Sequence, residues 1–208
     1  MERIDFQEVV STPTAAFDEG LRFFAGKGIV NTTLKRIAQQ LEDHGIDYAV
    51  IGAVALNQHG YRRFTEDIDL LLTREGLKRF HEELVGLGYQ PALEGSRKQF
   101  RSTEGNIRVE IVTAGEYRGD GLPKPVKFPD PKDVRLDLDG IKTITLEKLI
   151  ELKLASGISA PHCLKDLADV QELIKVKHLD ATFADKLDAS VQAKYIELYQ
   201  AVSQAPER

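Results

Sequence analysis

The sequence predicts an α+β protein: a mixed β-sheet flanked by helices, with a C-terminal helical portion. Three observations carry that expectation. A short, apolar, β-branched run, Tyr48-Ala49-Val50-Ile51, stops at Gly52; helix formers follow from Ala53 to Gln58, and then comes a second run, Asp67-Ile68-Asp69-Leu70-Leu71-Leu72. An amphipathic helix comes next, and this strand, helix, strand, helix order implies one sheet with helices packed on it. From Leu146 onward the apolar residues recur at helical spacing.

Taken in order, residues 1–31 read as an N-terminal helical extension, with Phe17, Leu21, Phe23 and Phe24 as its packing residues and Gly26 and Gly28 ending it. Residues 32–144 read as the core and 145–208 as the helical portion. Thr32 or Thr33 is expected to cap a helix through Leu34, Ile37, Ala38 and Leu41 that ends near Gly45. A helix over Glu75–Leu87 presents Leu77, Phe80, Leu84 and Leu87 on one side. Two strand-like runs between residues 97 and 113 join at Glu104-Gly105-Asn106, and a second hairpin, Val134–Leu138 with Ile141–Ile144, turns at Asp139-Gly140. Residues 118 to 132 hold four of the eight prolines and read as a loop at the rim of a cleft. Helices over Leu146–Ser156 and around Lys165–Ile174 follow, with amphipathic helix from Phe183 to Val202 docking on them.

Composition narrows the class. With 208 residues, 29% charged and 42% hydrophobic, the chain is sized for one domain or one domain plus a helical appendage. No apolar run approaches the roughly 20 residues that span a bilayer. Without a charged-then-apolar leader, and with Cys163 as its one cysteine, the chain reads as cytoplasmic. A net charge of −5 argues against broad coating of nucleic acid and leaves focused contacts through local basic patches. His44, His59, His81, His162 and His178 lack metal-ligand spacing, and no Walker-type loop or dinucleotide fingerprint occurs.

The chemistry-bearing stretch is residues 48–73. Asp67 and Asp69 lie two apart on a strand, hence on one face and roughly 7 Å apart along it. Facing an interior, that pair would cost several kcal/mol unless a cation neutralised it, roughly the penalty of uncompensated buried charge. Mg²⁺, bound by one or two carboxylates together with substrate phosphates, suits such a pair beside a glycine turn. The bland alternative is an edge strand whose acids point at water. Gly52 marks a turn or a close approach to a ligand, and the N–H groups at the helix start after it could take a phosphate. Glu110 is an acid in an alternating strand, read either as a third metal-facing carboxylate or as a cross-strand partner of Arg101 or Arg108. Lys153 closes the apolar stripe Leu146, Leu149, Ile150, so its amine either snorkels outward or enters a cleft. Asp166 and Asp169, three apart, read from spacing alone as a solvated edge at a helix start.

The stretch IGAVALNQHGYRRFTEDIDLLL resembles the core of the DNA polymerase β-type nucleotidyltransferase superfamily, and more narrowly is similar to the AbiEii-like nucleotidyltransferases, over roughly residues 34 to 175. The resemblance implies a nucleotidyltransferase-type mixed sheet, with Asp67, Asp69 and Glu110 as catalytic, metal-binding acids holding two Mg²⁺ ions on a nucleoside triphosphate. It implies Lys153 as a catalytic cation. Gly52, Ala53, Lys165, Asp166 and Asp169 would be nucleotide-binding residues; Arg62 and Arg63, in the loop just before the acid strand, read either as further contacts to the triphosphate or acceptor or as a solvated basic loop. It further implies transfer of a nucleoside monophosphate to an acceptor (tRNA, protein or small molecule) and, for the toxin members, an antitoxin partner. One departure stands out: Ala53 occupies a position where the family pattern has Gly or Ser, so a hydroxyl to phosphate is missing. That motivates a second class of function, a nucleotide- or partner-binding protein on the same fold without chemistry.

Overall fold

The computed structural model describes residues 5–117, 124–160 and 163–204. Tyr48, Ala49, Val50 and Ile51 form strand β1 (Tyr48–Ile51), buried on both faces, as a continuous apolar run requires. The other strands are β2 (Asp67–Leu72), β3 (Tyr89–Pro91), β4 (Gln99–Ser102), β5 (Arg108–Thr113), β6 (Arg135–Leu138) and β7 (Ile141–Ile144). Among the described residues they make one seven-stranded sheet in the order β3-β4-β5-β2-β1-β7-β6. It is mixed, as expected: β1 runs antiparallel to β2 and parallel to β7, while β2 and β5 are parallel.

Alternation of side chains sorts the sheet into two cores. On one face Tyr48, Val50, Ile68, Leu70, Leu72, Phe100, Val109 and Ile111 pack beneath α3 (Ile29–Asp43) and α5 (Arg74–Glu83) through Leu34, Ile37, Leu41 and Phe80. On the other face Ala49, Ile51, Leu71 and Val112 meet α4 (Gly52–Gln58) and a C-terminal helical layer. That layer consists of α7 (Leu146–Ser159), α8 (Leu164–Lys177), a 3₁₀ turn at Ala181–Lys186 and α9 (Ala189–Ser203). The N-terminal segment adds α1 (Phe6–Val9) and α2 (Pro13–Phe24), and its Phe6 and Phe23 join the first core. A short helix, α6 (Pro131–Val134), precedes β6.

Several boundaries differ from the sequence expectation, each for a local reason. Helix α3 begins at Ile29, not at Thr32 or Thr33, because its free N–H groups are met elsewhere. The buried Glu19 carboxylate accepts from Ile29 N at 2.6 Å, and Asn31 accepts from Gly28 N at 3.1 Å. A carboxylate at a helix start also suits the helix dipole. Helix α5 ends at Glu83, short of Leu87, because Gly86 takes φ +88° and turns the chain away, leaving Leu87 exposed. Helix α7 runs on to Ser159. Residues 118–123 of the expected rim loop, and residues 161–162, lie outside the described residues.

His59, the C-cap of α4, ties that helix to β7: its Nε2 donates to the Ile144 carbonyl at 2.7 Å. Burial holds the imidazole below its ordinary pKa of 6.5; the Lys177 charge acts in the same direction and the Ile144 hydrogen bond opposes it. A base whose folded pKa is depressed contributes full stability above its unfolded value and loses it as pH falls below about 6.5. Urea midpoints of the native chain are therefore expected to drop more between pH 7 and pH 5 than those of His59→Gln. Parallel pH profiles for the two proteins would contradict this.

Candidate active-site cleft

The register of β2 decides where its acids point. Asp67 and Asp69 alternate with the buried Ile68 and Leu70, so they share a face with Leu71, the face on which the C-terminal helices pack. Leu71 lies under those helices, whereas Asp67 and Asp69 open into a cleft of about 560 Å³. The neighbouring strands bring further groups to the same face. Asp69 stands opposite Ile51 on β1 and Glu110 on β5, and Glu110 stands opposite Gln99 on β4. Asp67, Asp69, Glu110, Gln99 and Gly52 all line the cleft, as does Ser156 of α7.

Gly52 answers to a constraint other than the expected one. It has φ +65°, and a Cβ there would lie 1.9 Å from Oδ2 of Asp69. The close approach that demands glycine is thus the Asp69 carboxylate itself, which lies against the turn from β1 into α4. Ala53 is buried in the first turn of α4.

Asp67 accepts a hydrogen bond from the Thr65 hydroxyl, which fixes its carboxylate. Glu110 is held differently. Its carboxylate accepts from Arg108 at 2.8 Å, drawn to a cation two residues away on its own strand. Among the described residues no group of three or more His, Cys, Asp or Glu side chains is gathered closely enough to hold a metal ion. Three carboxylates therefore share a face and a cleft without forming a three-donor cluster. The donor chemistry still fits Mg²⁺: hard carboxylate oxygens from one or two residues are its usual protein share, with phosphates and water completing the shell.

The lysine and the later acids stand somewhere other than the sequence suggests. Lys153 does not reach into the cleft. Its amine, with the residue 4% exposed, donates to Asp166 at 2.9 Å and to Asp169 at 2.7 Å. Asp166 and Asp169 are not on a solvated edge; they are 8% and 2% exposed. Arg63 adds a second cation, donating to Asp169 at 2.6 Å. The cause is packing: α7 and α8 press together, and a charged lysine buried between them is compensated by the carboxylates around it. This network reaches the acid strand because Arg63 belongs to the segment leading into β2. Asn57 of α4 clamps the same segment, donating to the Arg63 carbonyl at 2.6 Å and accepting from its N–H at 3.0 Å. Phe64 seats edge-on against Phe23, with centroids 5.1 Å apart.

Arg62 points elsewhere, into a groove with Phe24, Asn31 and Asp139. Lys165 lines a neighbouring cavity that shares Asp67 with the cleft. Sequence reasoning missed Lys98, which pairs with Glu116 in the lining of the cleft, and Ser156, a buried hydroxyl with no hydrogen-bond partner among the described residues. Gln99 was reachable from the hairpin register, as the residue opposite Glu110; Lys98 and Ser156 carry no local signal.

The family model described as the nucleotidyl transferase AbiEii toxin of type IV toxin–antitoxin systems matches residues 34–203. No curated protein matches the chain at a significant level. Among solved structures, the solution structure of the antibiotic-resistance factor ANT(2'')-Ia matches with a TM-score of 0.55 at 15% identity, covering 84% of this chain and 97% of that one. The crystal structure of ANT(2'')-Ia with adenylyl-2''-tobramycin matches with a TM-score of 0.54 at 16% identity, covering 79% and 97%. An antigenic nucleotidyltransferase-like protein from Paracoccidioides brasiliensis matches with a TM-score of 0.50 at 17% identity, covering 85% and 93%. At these identities the likeness is one of fold.

Two substitutions probe this frame. Lys153→Ala leaves two buried carboxylates short of a cation and is expected to cost about 3–5 kcal/mol in urea unfolding, the usual penalty for breaking a buried pair; a loss under about 1 kcal/mol would show that the network is not holding α7 to α8. Gly52→Ala forces a Cβ against Asp69 at positive φ and is expected to cost about 1–3 kcal/mol. An unchanged melting temperature would mean that the turn relaxes freely.

Proposed function

Because this chain belongs to the nucleotidyl transferase AbiEii toxin family, it is a nucleotidyltransferase, and we propose that it moves a nucleoside monophosphate from a nucleoside triphosphate to an acceptor in a Mg²⁺-dependent reaction centred on Asp67 and Asp69. The observation that carries this reading is the acid pair on one sheet face, opening into a cleft with the Gly52 turn lying against Asp69.

Asp67 and Asp69 would hold Mg²⁺, and Glu110 would join them on release from Arg108. The bound ion would supply charge neutralisation for the triphosphate and for the attacking and leaving oxygens. The chain's own residues do the rest. Thr65 keeps the Asp67 carboxylate oriented, and the Gly52–Ala53 turn offers backbone N–H groups to phosphate oxygen. The segment carrying Arg63 and Phe64 is fixed at three points, so the acids are positioned before substrate arrives, which favours catalysis over mere binding. Lys153, Asp166 and Asp169 serve by clamping α7 and α8 to that segment instead of touching phosphate. The acceptor hydroxyl gives up its proton to solvent as its oxygen attacks the α-phosphorus, the bond from that phosphorus to the oxygen bridging to the β-phosphate breaks, and pyrophosphate leaves with that oxygen.

The family's type IV toxin–antitoxin setting supports a toxin that acts in the cytoplasm with an antitoxin partner, and no described helix is long and apolar enough to cross a membrane. A second reading rests on Ala53, whose methyl offers no hydroxyl to a phosphate: a binder of nucleotides without transfer. Incubating the protein with each α-labelled nucleoside triphosphate, Mg²⁺ and a cell lysate separates the two. Labelled acceptor is expected, falling about 10²-fold or more in Asp69→Asn, the scale of losing one charge-stabilising group from a transition state. Nucleotide binding with no labelled product would favour the binder, and transfer undiminished in Asp69→Asn would remove the acid pair from the mechanism.

A further inference from the structure

Beside the acid cleft, and sharing Asp67 with it, lies a second cavity of about 460 Å³. Its lining is cationic in a chain whose net charge is −5: Arg63, Arg101, Arg108 and Lys165 against Glu66 and Asp67. Two of these are placed at an energetic cost. Arg101 on β4 and Arg108 on β5 stand directly opposite each other across an antiparallel pair, an arrangement in which like charges destabilise the sheet. Arg108 is offset by Glu110, and Arg63 by Asp169. Arg101 donates only to the Asn106 carbonyl, and neither it nor Lys165 has an ion-pair partner among the described residues. Two arginines held opposite each other are what an anion with two oxygens to share would relieve, since guanidinium groups take phosphate through paired N–H bonds.

We infer that this cavity is an anion site for a phosphate group of the acceptor, held by Arg101, Arg108 and Lys165 on the other side of Asp67 from the Gly52 turn. The site rests on the transferase reading above, because a second phosphate position beside the acid pair has a use only where an acceptor must be aligned with a nucleotide. Its position accounts for the sharing of Asp67: the acceptor's phosphate anchors on one side, and its hydroxyl is delivered to the acids on the other. Two sources of such a phosphate, the backbone of an RNA strand and a phosphorylated small molecule, present the same chemistry to these side chains.

The test is calorimetry on the full chain saturated with a nucleoside triphosphate and Mg²⁺, titrated with inorganic phosphate, with ribose 5-phosphate and with a short single-stranded oligoribonucleotide. At least one probe is expected to bind beside the nucleotide. Its affinity should fall about tenfold in Arg101→Gln, equivalent to about 1.4 kcal/mol, and recover in part in Arg101→Lys, which keeps the charge. Lys165→Gln, on the exposed start of α8, should weaken the same probe without depending on the hairpin that Arg101 also supports. Tighter binding of the oligoribonucleotide than of ribose 5-phosphate would assign the site to RNA, and the reverse order to a small phosphorylated acceptor. The assignment is overturned if no probe binds, if the nucleotide displaces every probe, or if both substitutions leave affinity unchanged. Probe binding that persists in a protein with no transfer to any acceptor would instead count against the transferase reading alone.

Discussion

Carboxylates two residues apart on a strand must leave the sheet by the same face, and in this fold everything around the site follows from having them do so at the open end of a buried face. Leu71 continues their row beneath the C-terminal helices, while Asp67 and Asp69 extend past that cover. Parallel pairing with β5 sets Glu110 beside Asp69, so a third acid is added to a row that already repels itself. The structure contains that repulsion locally: a hydroxyl on Asp67, an arginine on Glu110, and for Asp69 a glycine turn with no side chain to push it aside. A cation delivered with a nucleotide would relieve the repulsion between Asp67 and Asp69.

The helical layer is best understood as the frame for that row. The lysine buried between α7 and α8 is compensated by two carboxylates, and one of them, Asp169, also holds Arg63. Through Arg63 the C-terminal helices grip the segment that enters β2, and through Phe64 the N-terminal helix α2 grips it from the other side. Sheet, N-terminal segment and C-terminal helices thus meet at the approach to Asp67. Arg63, Lys153, Asp166 and Asp169 pair with one another at this junction, while Arg101 and Lys165 face a cavity.

Much of the fold was legible because alternation and helical spacing are local. The two hairpins, the acid-bearing strand and the mixed sheet all follow from residue order and turn chemistry, and the shared face of Asp67 and Asp69 follows from strand geometry alone, whereas the place of Glu110 beside them depends on the pairing of β2 with β5. What the sequence could not reveal depends on contacts between distant segments. Glu19 caps a helix ten residues on, which no threonine signal at Thr32 or Thr33 anticipates. The burial of Asp166 and Asp169 depends on how tightly α7 meets α8, whereas helical spacing alone places them on an edge. Gly52 was readable as a point of close approach, but the approaching group, Asp69, belongs to another strand.

A crystal structure of the chain with Mg²⁺ and a non-hydrolysable nucleoside triphosphate is the most direct test of the account. It should show the ion bridging the Asp67 and Asp69 carboxylates to the phosphates, with the triphosphate lying over the Gly52 turn. A nucleotide bound elsewhere, with neither carboxylate coordinating the metal, would contradict the account at its root.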